Sequence, residues 1–311
     1  MSLAATRLTL RFHRFELVTL GCVLIGLAVA GSVVAAQLDA IGYSPVCFAS
    51  TDSVPTWCNA KGEAFYALRG SLADPIAGLL VAVSFGSAVF LGVAIVGREL
   101  ERGTTRLAWS LAPSRWRWYL ARLVPILAVL AALTFLAGIT ADRLTAAGSP
   151  GLDIGNAFDG FGTRGVLVAA RALFIFALAV AVGSVVGRAL PAVIVAIALA
   201  WVGLSYGESI HERIIRTEAV VLDGEESRLG DRYIDQLFRL TDGRLVGWDV
   251  INVIDPPPAD GEWIPKYPMV TLVVPREHYR FVETREALVL AGGSLVTLAF
   301  AGVVVVRRRP G

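Results

Sequence analysis

The sequence predicts an α-helical polytopic membrane protein: six transmembrane helices, an N-terminal interfacial helix, and a mixed α/β extracytoplasmic insert between the last two spans. The chain has 311 residues, of which 55% are hydrophobic and 17% are charged, whereas a soluble domain carries about 25% charged residues. Its mean hydropathy is +0.65. Six stretches approach or reach the roughly 20 apolar residues that cross a bilayer. Secreted, disordered and nucleic-acid-binding proteins fit this composition poorly.

The six apolar stretches define the predicted spans and leave two short outer loops. They are residues 17–36, 76–97, 123–140, 165–186, 189–206 and 287–306. An even number of spans places both termini on the same side of the membrane.

Arginine placement predicts the orientation, because short cytoplasmic loops are enriched in basic residues. With a cytoplasmic N-terminus, that side carries 13 arginines against three acids, Glu16, Glu99 and Glu101. The arginines are Arg7, Arg11, Arg14, Arg98, Arg102, Arg106, Arg115, Arg117, Arg122, Arg188, Arg307, Arg308 and Arg309. We therefore expect a multi-pass protein of the cell membrane with both termini in the cytoplasm.

The segment before the first span has the spacing of a helix that lies in the headgroup plane. Its basic row and its apolar row are Arg7, Arg11, Arg14 and Leu8, Phe12, Phe15. The arginines alone would also serve as an orientation signal. A signal peptide is the competing interpretation of the first span, but the apolar run is longer than a usual signal sequence.

Two of the three cysteines, Cys47 and Cys58, fall in the first outer loop, and Cys22 lies within the first span. An oxidising exterior favours a disulfide between Cys47 and Cys58. Metal binding is the alternative, but two cysteines without a nearby histidine make a poor zinc site.

The motifs of several enzyme classes are absent from the sequence. The only lysines, Lys61 and Lys266, follow Ala60 and Pro265, so the chain has no P-loop for ATP. His211 and Glu212 are not followed by the second histidine of a zinc-protease helix. We predict no catalytic residue, no metal site and no cofactor in this chain.

Two features within the spans invite interpretation. Arg171 lies in the fourth span, where an arginine is energetically costly. It is a candidate either for snorkelling or structural pairing, or for lining a polar translocation path. Gly183 and Gly187 form a small-xxx-small pair that favours helix packing within one bundle over a dimer seam.

The outer segment between the last two spans is long enough to fold. Ile210, Ile214, Ile215, Ala219 and Val220 have helical spacing. Residues 245–254 and 269–274 are rich in valine and isoleucine, which predicts short strands. A gate, a docking surface and a segment without function all remain open for this insert.

The most informative stretch is the loop between the second and third spans. It reads Gly-Arg-Glu-Leu-Glu-Arg-Gly-Thr-Thr-Arg-Leu from Gly97 and continues to Pro-Ser-Arg-Trp-Arg-Trp, ending at Trp118. It resembles the type-two family of ATP-binding cassette (ABC-2) exporter permeases, in which Arg-Glu-x-Glu-x-Gly-Thr precedes a short amphipathic helix and Pro-x-Ser-Arg. Residues 8–14, 275–286 and 307–309 resemble actinobacterial members.

The resemblance implies that this loop couples the chain to a separate ATPase. The residues implied are Glu99, Glu101, Arg102, Gly103, Thr104, Arg106, Leu107, Leu111 and Arg115. Gly103 would end the second helix with a left-handed backbone. Leu107 and Leu111 would offer an apolar face to the ATPase. A loop helix that only meets lipid headgroups is the alternative.

The family further implies an ATPase subunit in two copies, which would bind ATP and Mg²⁺, and a second permease chain, identical or related. The substrate would be a hydrophobic or amphipathic drug, lipid or peptide, and no nucleic acid is expected. The rival function is a non-transporting membrane sensor or accessory protein with an extracytoplasmic ligand-binding segment. The predicted regions are 1–16 (interfacial helix), 17–207 (spans one to five, with coupling loop 98–117), 208–286 (outer domain) and 287–311 (sixth span and basic tail).

Overall fold

A computed structural model describes residues 9–48, 56–103, 109, 114–223, 228–256 and 266–308. Within these residues, six helices are long and apolar enough to cross a membrane, which confirms the predicted number of spans. Packing divides the chain into two compact units. The described parts of residues 1–151, 160–204 and 283–311 form the membrane unit, and those of residues 152–159 and 205–282 form the second unit.

The long helices extend beyond the apolar stretches that predict them. The helices are α1 (Arg14–Ile41), α2 (Thr56–Leu68), α3 (Asp74–Glu101), α4 (Arg115–Gly148), α5 (Gly165–Val186), α6 (Ala189–Arg216), α7 (Trp248–Ile254) and α8 (Tyr279–Arg307). Thus α6 continues past Tyr206, and α8 begins before Ala287. Hydropathy marks only the apolar part of a helix, whereas backbone hydrogen bonding carries the helix on into polar sequence.

The connection between the first two spans, predicted as an outer loop, contains a helix that hydropathy does not predict. Helix α2 continues through a π-helical turn, Arg69–Ala73, into α3. Within this turn, Arg69 Nη1 donates a hydrogen bond to the carbonyl of Gly148 at 2.7 Å. Single π turns often place one side chain for a specific contact, and here that contact satisfies the C-terminal end of α4.

Helix α5 lies at the centre of the membrane unit. Its most apolar window is 61% buried, against 17% for α6, so α5 is the core helix and α6 is peripheral. Helix α5 packs against α3 and α4, and α1 packs against the same two helices. A Cβ atom at Gly183 would lie 3.2 Å from the carbonyl oxygen of Val93 in α3. Gly183 therefore packs within the bundle, as predicted, whereas Gly187 ends α5 with φ +69°.

The second unit is built on a four-stranded antiparallel sheet in the order β1-β4-β2-β3. The strands are β1 (Val220–Asp223), β2 (Arg232–Arg239), β3 (Leu245–Val246) and β4 (Met269–Val274). The sheet confirms the predicted strand at residues 269–274. A small core of Phe238, Leu240 and Ile251 lies between the sheet and α7.

Two predictions for this unit are wrong. The segment 245–254 is a strand only as far as Val246, because Gly247 interrupts it and residues 248–254 form α7. A short apolar run does not distinguish a strand from a buried helix. Val220, expected in a helix, is the first residue of β1, since α6 ends at Arg216 and a turn follows.

Candidate functional site

The site singled out by the sequence lies where several helix ends meet in the membrane unit. Here α3 ends at Glu101, α4 begins at Arg115, α5 ends at Val186, α6 begins at Ala189 and α8 ends at Arg307. We call this region the loop end. Hydrogen bonds and ion pairs between these termini tie the start of the predicted coupling loop to the rest of the unit.

The turn at Gly103 ends α3 as the sequence predicts. Gly103 has φ +69°, and its N–H donates to the carbonyl of Leu100 at 3.2 Å. The backbone N–H of Arg102 donates the last hydrogen bond of the helix, to Arg98 O at 3.1 Å. The side chain of Arg102 is exposed. A side chain at position 103 would strain this left-handed conformation.

Two predicted coupling acids fasten α3 to two other helices. Glu99 forms an ion pair with Arg122 of α4, and both side chains are largely buried. Glu101 Oε2 accepts a hydrogen bond from the backbone N–H of Ala189 at 3.0 Å. This carboxylate caps the N-terminal end of α6, where the helix dipole favours negative charge.

A third ion pair connects α3 with α1. Arg98 Nη1 lies 2.6 Å from Glu16 Oε1. His13, just before α1, is buried beside this pair. Burial lowers the pKa of His13 below its ordinary value of 6.5, and the positive charges of Arg122 and Arg98 lower it further, against the opposing effect of Glu16. His13 is therefore neutral at pH 7.

Arg115 connects the loop with the last helix. Its Nη1 donates to the carbonyls of Val306 and Arg308, at 2.8 and 2.9 Å. The indole ring of Trp109 lies against the same guanidinium, 4.4 Å from ring centroid to Cζ. One side chain thus contacts both the loop and the C-terminal end of α8.

Trp109 also packs edge-to-face against Trp118, with ring centroids 6.1 Å apart. Arg122, already paired with Glu99, lies 4.9 Å from the Trp118 centroid. The contacts therefore run in the order Arg115, Trp109, Trp118 and Arg122, with two tryptophan rings between two guanidinium groups. Cation–π contacts of this kind hold a tryptophan at a fixed position relative to the helix.

Four residues of the predicted coupling set lie outside the described residues. They are Thr104, Arg106, Leu107 and Leu111. The amphipathic helix expected there stays a prediction.

Arg171 forms an ion pair within the unit. Its Nε and Nη2 donate to Glu286 Oε1 of α8 at 3.0 and 2.7 Å. Arg164, which is 3% exposed, donates to Asp142 of α4 at 2.8 Å. Structural pairing thus accounts for the charge of Arg171. A part for it in a translocation path stays a prediction.

The disulfide between Cys47 and Cys58 is present, as predicted, with Cα atoms 5.6 Å apart. It joins the 3-10 turn Pro45–Phe48 to the first turn of α2. Tyr43 stacks on Phe65 nearby, with centroids 4.8 Å apart. The bond and the aromatic contact both fix the connection between α1 and α2.

No candidate metal centre occurs in the part of the chain that the structure describes. No group of three or more His, Cys, Asp or Glu side chains there could hold a metal ion. The second unit has an open cavity of about 360 Å³ beside β1 and β4. Its lining residues are Val220, Leu222, Asp223, Arg228, Asp231, Val273, Pro275 and Glu277.

A comparison with protein families shows the family to which the chain belongs. The model of the family described as ABC-2 membrane transporter related matches residues 17–207. The chain belongs to this family. Comparisons with curated proteins and with solved structures give no significant match.

Membership of the ABC-2 family makes the chain a membrane component of a transporter rather than an enzyme. Its apolar helices make it a multi-pass membrane protein. The family also implies a partnership with an ABC ATPase. The matched region contains the whole of loop 98–117.

Several contact residues of this ABC-2 protein escaped the sequence-based prediction. Glu16, Trp109, Arg122 and Arg308 all contact the loop end, and Glu286 pairs with Arg171. In the sequence, Glu16, Arg122 and Arg308 contribute only to the charge balance of the predicted cytoplasmic side, and Glu286 only to the resemblance of residues 275–286. The presence of only three acids, Glu16, Glu99 and Glu101, among the 13 arginines of the predicted cytoplasmic side is the signal that could have indicated ion pairs between helices.

Proposed function

We propose that this chain is the permease subunit of an ATP-driven ABC exporter. Two permease chains, identical or a related pair, assemble with two ATPase chains in this proposal. ATP and Mg²⁺ bind to the ATPase subunits, and this chain supplies no cofactor site. Coupling takes place through the loop 98–117.

The observation that carries the proposal is the anchoring of this loop. The end of α3 is tied to α1 through Arg98, to α4 through Glu99 and to α6 through Glu101. A soluble partner pushing on the loop therefore acts on four helices together. Of these ties, the ion pair between Glu99 and Arg122 is largely buried, and breaking a buried pair is costly because it leaves an uncompensated charge.

The charge at the loop end supports a cytoplasmic position for it and for both termini. All three acids at this end are engaged with the protein itself. The side chains of Arg11, Arg14, Arg102, Arg117, Arg188 and Arg307 are exposed. Such an excess of basic residues is typical of the cytoplasmic side, and the membrane in this proposal is the cell membrane.

The substrate in this proposal is hydrophobic or amphipathic: a drug, a lipid or a peptide. The helices present apolar surface, and the Arg171 and Glu286 charges are paired with each other. Export requires that the substrate bind more tightly in the inward-facing than in the outward-facing state. The similarity to actinobacterial exporters, seen in residues 8–14 and 275–286, supports the outward direction.

The test is purification of the tagged chain in mild detergent from its native membranes. We expect an ABC ATPase to co-purify and the complex to hydrolyse Mg-ATP. Leu107→Asp should abolish the association, because it places an unpaired charge in a desolvated contact. Arg307→Ala, an exposed change at the same end, should leave it intact.

Two results would contradict the proposal. Full association and full transport by Leu107→Asp would show that this loop is not the coupling element. A wild-type chain that purifies without any ATPase would favour the sensor or accessory function, with ligand binding in the second unit.

A further inference from the structure

Two arginines satisfy the C-terminal ends of two spans at the loop end. Arg115, the first residue of α4, donates to the carbonyls of Val306 and Arg308. Arg308 in turn donates through Nη1 to the carbonyls of Ser184 and Val185, at 2.6 and 3.3 Å. The last carbonyls of a helix have no partner within the helix and carry partial negative charge. Each arginine therefore supplies both the missing donors and the complementary charge.

The position of Arg308 depends on a glycine at the end of α5. A Cβ atom at Gly187 would lie 2.6 Å from Arg308 Nη2. Gly187 also has φ +69°, which turns the chain away from the carbonyls that Arg308 occupies. The glycine at position 187 thus leaves the space that the Arg308 guanidinium group occupies.

Helix α8 is held to the bundle along a narrow face. Only 28% of its most apolar window is buried, and Leu295 and Val296 are 69% and 72% exposed. Its inner face is fastened to α4 by the hydroxyl of Tyr119, which donates to Leu298 O at 3.0 Å. The contacts of Arg115 and Arg308 therefore add to the buried packing of Ala301 and Val305 near the end of α8.

We propose that Arg115 and Arg308 are positioning residues that transmit displacement of the loop to the sixth and fourth spans. This inference rests on the proposed ATP-driven function. Trp109 moves Arg115 through their stacked contact, and Arg115 moves the end of α8. Arg308 then carries the displacement to the end of α5. Main-chain carbonyls cannot shift independently of their helix, so hydrogen bonds to them move the helix itself.

The test uses the whole complex of permease and ATPase, with a spin label on Phe90 of α3 paired either with Val303 of α8 or with Val185 of α5, all three exposed. Each label-to-label distance is measured without nucleotide and with Mg-ATP and vanadate, so no transport substrate is needed. We expect a nucleotide-dependent shift of both distances in the wild type. Arg115→Gln should lose both shifts, and Arg308→Gln should lose the shift of α5. Arg307→Gln, the exposed neighbour, should keep the full shift.

Further readouts separate transmission from stability and from the proposed function. ATPase association and ATP hydrolysis should persist in Arg308→Gln, because the loop itself is unchanged. Arg308→Lys, which keeps the charge but replaces the planar guanidinium group with one ammonium group, should retain part of the α5 shift. A full α5 shift in Arg308→Gln would overturn this inference alone. A wild-type chain that binds no ATPase would overturn the proposed function instead.

Discussion

Arg171 and Glu286 form a two-donor contact between the fourth and sixth spans, in which Nε and Nη2 of the arginine share one carboxylate oxygen at 3.0 and 2.7 Å. The side chains are 17% and 12% exposed. Burying two charges costs desolvation energy, so the intact pair adds little net stability. Removing only one partner is strongly destabilising, because the other charge stays buried and unpaired. The pair therefore fixes how α5 and α8 pack.

Single substitutions of this pair should destabilise the membrane unit. Arg171→Gln or Glu286→Gln leaves a buried charge, at a cost of about 3 to 5 kcal/mol. The double variant Arg171→Met with Glu286→Leu should recover most of the loss, because neither charge remains. Thermal unfolding of the purified protein in detergent measures both effects.

Arg143→Gln is the matched control, since Arg143 is an exposed arginine near the end of α4. It should unfold like the wild type. Equal stability of the wild type and Glu286→Gln would mean that the contact does not hold the helices together.

The disulfide should contribute to stability. Cys58→Ala should lower the free energy of unfolding by about 2 to 4 kcal/mol, because the closed loop restricts the unfolded chain. Cys22→Ala, which removes the free and exposed cysteine of α1, should have little effect. Mass analysis of non-reduced peptides should detect the linked pair, and two free thiols in intact cells would refute it.

Gly103 should matter for coupling more than for folding. Gly103→Ala forces a side chain into a left-handed conformation, at a cost of about 1 to 2 kcal/mol, and redirects the loop. Transport per ATP hydrolysed should fall while ATPase binding persists. Gly86→Ala is the control, because a Cβ atom there meets no other atom within 4 Å.

The membrane topology should place the loop and the second unit on opposite sides. Single cysteines at Ser110 and Gly243, in a background without other cysteines, should react with an impermeant thiol reagent from opposite faces. Gly243 lies in an exposed turn, so accessibility is assured there. Labelling of both positions from one side would contradict the six-span topology.

The sequence predicts the spans well because hydropathy is a local property of each stretch. It also predicts the turn at Gly103 and the pairing of Cys47 with Cys58, which depend on residue type and short separations. It does not predict the partner of Arg171, because Glu286 is 115 positions away and several acids compete. Contacts between helix ends that are far apart in the sequence depend on how the helices pack. No local sequence pattern indicates that packing.

The second unit shows the same limit. Strand β4 is apolar enough to be recognised, but β2 alternates less clearly and contains three charged residues among RYIDQLFR. Its place beside β4 depends on a register that includes an irregularity between Tyr233 and Asp235. Residues 232–239 form a strand because they pair with β4. The tendency of a segment to form a strand depends on the strands beside it more than on its own residues.

The last prediction concerns His13, which is buried at the start of α1 beside Glu16, Arg98 and Arg122. Burial holds the folded-state pKa of His13 below 6.5. Well above pH 6.5 the imidazole is neutral in both the folded and the unfolded chain, so it adds no pH dependence there. As the pH falls through 6.5, the unfolded chain takes up a proton that the folded chain does not. The free energy of unfolding should therefore decrease until the lowered folded-state pKa is reached.

The measurement compares unfolding temperatures at pH 7.5 and pH 5.5 in wild type, His13→Gln and His278→Gln. Glutamine does not titrate, so His13→Gln should lose part of the decrease seen in the wild type on acidification. His278 is exposed, and His278→Gln should keep the wild-type decrease. An equal decrease in His13→Gln and the wild type would show that protonation of His13 does not oppose the folded state.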